Sequence, residues 1–256
     1  MKKLMYLLTG LLALAACHKK EMVEIPVTKI EIVPASTGLF IGDETTVLVK
    51  CYPENATNVS LLTVSNSNSN VASFEQGKLK AKAAGTTTLT ARCGGVYATK
   101  RVSVYSGYFA KGGTKYGVEA ASGYYYMFGQ SQPQEMEIKL TNYVSDTDTQ
   151  HFKVWIKCSN LGKEMDITRG LDGSQISVYK NQNQEGYSLP YDSEGKPVVV
   201  QADWSYTNAT LTKGQLKVSQ VSSGTDVYSI KGDFSLSNGY TFSVDWEGNV
   251  SMKREG

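Results

Sequence analysis

The stretch Tyr228-Ser229-Ile230-Lys231-Gly232-Asp233-Phe234-Ser235-Leu236-Ser237-Asn238-Gly239-Tyr240-Thr241-Phe242-Ser243-Val244-Asp245-Trp246 decides the fold. Tyr228, Ile230, Phe234 and Leu236 alternate with polar or small residues, and so do Tyr240, Phe242, Val244 and Trp246. A period of two puts these side chains on one face of a pair of strands. Asn238-Gly239 between the two runs is a strong signal for a two-residue type I′ turn. The stretch therefore predicts a β-hairpin with one apolar face. Half-polar strands joined by tight turns favour antiparallel pairing over a parallel sheet.

The same alternation spreads outward. Met136, Ile138 and Leu140 alternate with Glu135, Glu137 and Lys139; Phe152, Val154, Ile156 and Cys158 alternate with Lys153, Trp155 and Lys157. Val198, Val200, Ala202, Trp204 and Tyr206 share a face. Past the first residues, no stretch shows sustained helical periodicity. Residues 106–256 are expected to form one antiparallel β-domain, a sandwich or an open barrel.

The beginning of the chain has another character. Lys2-Lys3 precedes an apolar run from Leu4 to Ala16, broken only by Thr9-Gly10. Basic, apolar and small-residue regions in that order make a secretory signal. The run falls short of the roughly 20 residues a bilayer span needs. It ends in Leu14-Ala15-Ala16-Cys17, which resembles the lipobox of bacterial lipoproteins. The resemblance implies cleavage before Cys17 and an acyl anchor on its thiol. An aspartate after the cysteine often marks inner-membrane retention in that family. His18 stands there instead, so an outer membrane is implied, with its periplasmic or external face left open. Residues 1–17 are then signal peptide and lipobox, and 18–26 a tether. Without Lys2 and Lys3 the 26 basic residues fall to 24, equal to the 24 acidic ones. A balanced chain carries no electrostatic footprint for nucleic acid.

Residues 27–105 form a separate unit of short strands and turns. Ile30-Glu31-Ile32-Val33 and Leu39-Phe40-Ile41-Gly42-Asp43-Glu44 are followed by Thr46-Val47-Leu48-Val49-Lys50-Cys51-Tyr52-Pro53-Glu54-Asn55-Ala56-Thr57. Then come Val71-Ala72-Ser73-Phe74, Gly77-Lys78-Leu79-Lys80-Ala81 and Gly85-Thr86-Thr87-Thr88-Leu89-Thr90-Ala91. This succession resembles the bacterial immunoglobulin-like group 2 domain, departing from it at Val64, where that family usually has tryptophan. An immunoglobulin-like β-sandwich is the fold implied. The Ser65–Asn70 run reads as a bend within it. Val47, Val49 and Cys51 share one strand face; Leu89, Ala91 and Cys93 share another. In such a sandwich the two strands run the same way in facing sheets, so a Cys51–Cys93 disulfide is expected, with two buried thiols as the alternative. The compartment permits it.

Chemistry is sparse. Beyond His18 the only histidine is His151, on a strand flank among lysines, and it reads as a surface residue. No cysteines sit at metal-ligand spacing, so neither a metal site nor a cofactor is expected. Glu135/Glu137 and Asp146/Asp148 lie two apart, as solvated strand faces do. Asp146-Thr147-Asp148-Thr149 lacks the glycine and closing glutamate of a calcium loop. No catalytic residue is assigned.

Aromatic side chains remain as a means of recognition, since a ring offers a flat apolar face. Trp204 and Trp246 fall on apolar faces and read as core. Trp155 falls on the face opposite Phe152, Val154 and Ile156, and Tyr125 is a candidate for similar placement. Short phrases in residues 159–163, 214–218 and 228–239 resemble β-domains of lipoproteins from Bacteroides-type bacteria. The expectation is a lipid-anchored, non-enzymatic envelope protein that binds a glycan or protein ligand or acts in adhesion, with the immunoglobulin-like domain as spacer. The alternatives are an assembly component of an envelope complex and, third, a glycoside hydrolase.

Overall fold

A computed structural model describes residues 23–169, 174–181, 184–190, 192–193, 197–201 and 207–255. Cys17 and Trp204 lie outside the described residues. The chain is all-β. Its first sandwich comprises β1 (Lys29–Pro34), β2 (Gly38–Phe40), β3 (Glu44–Tyr52), β4 (Thr63–Asn66), β5 (Ala72–Glu75), β6 (Lys78–Ala81), β7 (Gly85–Cys93) and β8 (Val96–Tyr105). They make two four-stranded sheets, in the orders β1-β3-β6-β5 and β2-β8-β7-β4. Alternation in β7 buries Thr87, Leu89, Ala91 and Cys93 against Ile30, Ile32, Val47 and Leu79 of the facing sheet. The Ser/Asn run is strapped down beside β7. Ser67 Oγ accepts from the Thr88 N–H (2.9 Å), and Thr87 Oγ1 accepts from the Asn68 N–H (3.1 Å).

The second sandwich comprises β9 (Tyr108–Lys111), β10 (Thr114–Gly117), β11 (Ala120–Tyr126), β12 (Glu135–Ser145), β13 (Asp148–Lys157), β14 (Glu164–Asp166), β15 (Gln175–Lys180), β16 (Gln184–Leu189), β17 (Val200–Gln201), β18 (Leu211–Gln220), β19 (Val227–Leu236), β20 (Thr241–Asn249) and β21 (Ser251–Glu255). A six-stranded sheet runs β10-β9-β20-β19-β18-β14 and a seven-stranded sheet runs β17-β16-β15-β13-β12-β11-β21. Two sheets with open edges make this domain a sandwich and not a barrel. Ile138, Leu140, Phe152, Val154, Ile156 and Val178 meet Phe109, Val218, Ile230, Phe234 and Val244 across the core. Each such side chain contributes about 1.5–3 kcal/mol on full burial.

Two local expectations need correction. The β19–β20 hairpin forms, but its turn is not type I′. Leu236 N–H donates to the Tyr240 carbonyl (2.9 Å), so Ser237-Asn238-Gly239 is a three-residue loop. Gly239 alone of the three has a positive φ, at 83°. Asn238 instead uses its Oδ1 to accept from the Tyr240 N–H (3.0 Å), which needs no left-handed backbone. The pairing is also not wholly antiparallel. β2 runs parallel to β8, and β21 runs parallel to β11. The second case arises because the chain changes sheet at Val250. That residue is buried, and its N–H donates to the Asp226 carbonyl (2.8 Å).

The two sandwiches meet end to end at Tyr105. Its ring lies against Gly38 and Gly117, where side chains are missing. A Cβ on Gly117 would stand 2.1 Å from the ring, and one on Gly38 3.0 Å. Tyr105 O–H donates to Glu119 Oε1 (3.0 Å), and Phe40 meets Tyr108 edge-on with ring centres 5.5 Å apart. The Lys115 ammonium sits 4.0 Å from the Tyr108 ring centre and 5.9 Å from that of Phe40, and the second of these cation–π contacts crosses the seam.

Candidate functional site: an aromatic ladder

The outer face of the seven-stranded sheet carries the residues that alternate with the core. β11, β12 and β13 lie side by side, and their register aligns Tyr124, Glu137 and Trp155 in one row and Tyr126, Glu135 and Lys157 in the next. Met136, Ile138, Val154 and Ile156 turn inward, so the aromatic residues of β11 and β13 project outward together. Trp155 leans across β12 onto Tyr126, with ring centres 4.4 Å apart and planes within 11°. Its Nε1–H donates to Glu135 Oε2 (2.6 Å), which fixes the indole's rotation. Phe128 stacks on Tyr126 at 6.1 Å and 19°, and Tyr124 tilts against Tyr126 at 6.4 Å. The result is a ladder of upright rings, not a flat platform.

The end of the ladder is held by unusual backbone. Phe128 has φ 46° and Gly129 φ 73°. A left-handed aromatic residue costs on the order of 1–3 kcal/mol and persists only where its surroundings hold it. Here Phe128 stacks on Tyr126 yet remains 59% exposed. Charge surrounds the rings. Lys153 pairs with Glu137 (3.3 Å), and the Lys253 ammonium lies 5.9 Å from the Tyr124 ring centre. Burial, then Glu137 and Glu255, push the Tyr126 phenol up from its ordinary value.

The other expected site residues fall elsewhere. Tyr125 is not on the Trp155 face, because strand alternation aligns it with Met136 and turns it inward. Its O–H reaches Asp226 Oδ1 (3.1 Å) and the phenol of Tyr228. Tyr126 and Phe128 were missed. The parity of Tyr124 and Tyr126 was visible, but the register that brings them to Trp155 was not. No bond joins Cys51 and Cys93 in the structure. The Cys93 thiol instead donates to the Asn58 carbonyl (3.2 Å), while burial and the neighbouring Cys93 push the Cys51 thiol up. His151 is not a surface residue. It is 9% exposed, tilted against Tyr179 with ring centres 4.9 Å apart, and each ring nitrogen meets a threonine hydroxyl: Thr141 Oγ1 (3.1 Å) and Thr149 Oγ1 (3.0 Å). Burial, then Lys139 and Lys111, lower its pKa to about 4. In the Asp146–Thr149 turn, Asp148 pairs with Lys180 (3.4 Å) and accepts from Gln150 Nε2 (2.7 Å).

No family model matches the chain, and no curated protein matches it. Among solved structures, domains 5–6 of the S-layer protein SbsC align with 86% of this chain and 84% of that one, at 14% identity and a TM-score of 0.23. Human protocadherin-24 EC1-2 aligns with 90% of this chain and 100% of that one, at 8% identity and a TM-score of 0.24.

Proposed function

We propose that this is a lipid-anchored protein of the bacterial outer membrane that binds a glycan or a surface protein without catalysing a reaction. Cys17 carries the anchor, the first sandwich is an immunoglobulin-like group 2 spacer, and the second sandwich presents the ligand surface. The carrying observation is the ladder of Trp155, Tyr126 and Phe128 on an outward sheet face, with a strained Phe128 left exposed. Exposed ring edges and faces suit stacking against sugar C–H surfaces or apolar side chains. A glycan is the favoured ligand, because carboxylates and ammonium groups stand beside the rings, ready to bond hydroxyls.

Two experiments test this reading. Cys17→Ser should move the chain from the membrane pellet to the soluble fraction; an unchanged distribution would sink the anchor. For the ladder, a glycan array would supply ligands, and calorimetry would compare wild type with Trp155→Ala. Loss of one stacking partner should weaken binding about tenfold, equivalent to about 1.4 kcal/mol. The variant should stay folded, because Trp155 stands outside the core. Equal affinity in a folded variant would remove the ladder from the binding surface.

A further inference from the structure

A cavity of about 550 Å³ opens between the two sheets of the second sandwich, at the end where residues 127–134 leave β11. Small-ligand sites typically enclose roughly 300–1,000 Å³ and combine apolar walls with a few placed polar groups. Here Leu161 and Met252 supply apolar wall, while Tyr125, Tyr228, Asp226 and Arg254 bring polar atoms. The directions of the hydrogen bonds follow from chemistry. A carboxylate only accepts, so Tyr125 O–H donates to Asp226 Oδ1. Its proton is then committed, so Tyr228 O–H must donate to the Tyr125 oxygen. Tyr228 is 1% exposed, and this chain of three groups holds it in place. The Tyr228 oxygen and the second Asp226 oxygen keep their capacity to accept. At the rim, Arg254 is exposed, and no hydrogen bond or ion pair engages its guanidinium among the described residues.

The cavity thus offers the Tyr228 oxygen at depth and, at its exposed mouth, the Asp226 carboxylate as acceptor and Arg254 as donor. A sugar ring satisfies both, because O–H groups on its neighbouring carbons donate and accept at once. The Asp226 carboxylate disfavours an acidic sugar. The ladder adjoins the cavity around the end of β11, since Tyr126 follows Tyr125 directly and projects to the other face, where Phe128 stacks on it. We propose that this cavity takes the neutral terminal monosaccharide of a glycan whose inner residues lie along the ladder. The inference rests on the glycan reading above and adds that the protein recognises chain ends.

The test uses the full chain in detergent, titrated calorimetrically with glucose, galactose, mannose and N-acetylglucosamine and with linear tetrasaccharides of each. At least one monosaccharide should bind. Arg254→Met, at an exposed position with no side-chain partner among the described residues, should weaken that monosaccharide and its tetrasaccharide about tenfold. Trp155→Ala should weaken the tetrasaccharide alone. A tetrasaccharide that binds through Trp155, with no monosaccharide bound and no effect of Arg254→Met, overturns the cavity and leaves the ladder standing. No sugar binding at all overturns both. Arg254-dependent binding of alanine in place of any sugar assigns the cavity to zwitterions and overturns the sugar proposal. A monosaccharide indifferent to both Arg254→Met and Asp226→Asn binds elsewhere and overturns it too.

Discussion

Phe152→Ala should destabilise the second sandwich by about 3–5 kcal/mol, the usual range for removing a fully buried phenylalanine. Phe152 is 0% exposed and lies between Phe109 (6.4 Å between ring centres) and Phe234 (6.3 Å), so it ties the seven-stranded sheet to the six-stranded one. Its loss leaves a cavity that two facing sheets cannot close without shifting their register. The protein carries its own reporter: all three tryptophans, Trp155, Trp204 and Trp246, follow residue 105. Urea unfolding followed by tryptophan fluorescence therefore reads the second sandwich alone. Hydrogen exchange at the β7 amides reads the first, whose core from Val27 to Val104 shares no side chain with the other. Those amides should exchange as in wild type. If they exchange faster in step with the fluorescence, the two cores are one cooperative unit.

Acid should weaken the same sandwich through His151. The folded imidazole has a pKa near 4, whereas an unfolded one titrates near 6.5. Between those values the unfolded chain binds a proton that the folded one refuses. Stability from this residue is therefore complete above about pH 6.5 and lost progressively as pH falls toward 4. At about 1.4 kcal/mol per unit, the loss approaches about 3 kcal/mol at its limit. The imidazole stays neutral because it is buried and because Lys139 and Lys111 oppose a second proton. Denaturation at pH 7.5 and pH 4.5 should show wild type losing about 2–3 kcal/mol more than His151→Gln, which can bond both threonines without titrating. Parallel losses would mean that His151 is free to protonate when folded.

These two residues show how far the sequence could be read. Phe152 was legible as core, because a period of two depends only on strand sterics and burial of one face. His151 was not, because its concealment depends on Tyr179, a residue of another strand brought over it by register. Trp155 was legible as outward-facing for the reason that made Phe152 inward. Tyr125, a candidate for the same face, is turned inward. The run Tyr124-Tyr125-Tyr126 offers the same side chain at both parities, and only the alignment of Tyr124 with Glu137 and Trp155 selects the outer pair. The Asn238-Gly239 turn failed differently: its asparagine met the local hydrogen-bond demand with its side chain, which removed the need for a left-handed pair. Phe128 gave no signal, since nothing in its neighbours except Gly129 foretells a positive φ.

The seating of Tyr105 between Gly38 and Gly117 has a mechanical consequence. To bend at the seam, the chain must lift that ring from its slot and give up the bond to Glu119 and the cation–π contact of Lys115 with Phe40. The two sandwiches therefore turn together, as an arm without an elbow. Under the proposed tether this would confine the ladder to one bearing relative to Val27, leaving less orientational freedom to be lost on engaging the proposed ligand. A load drawn on the proposed ligand would then pass through the seam to the first sandwich and its proposed anchor.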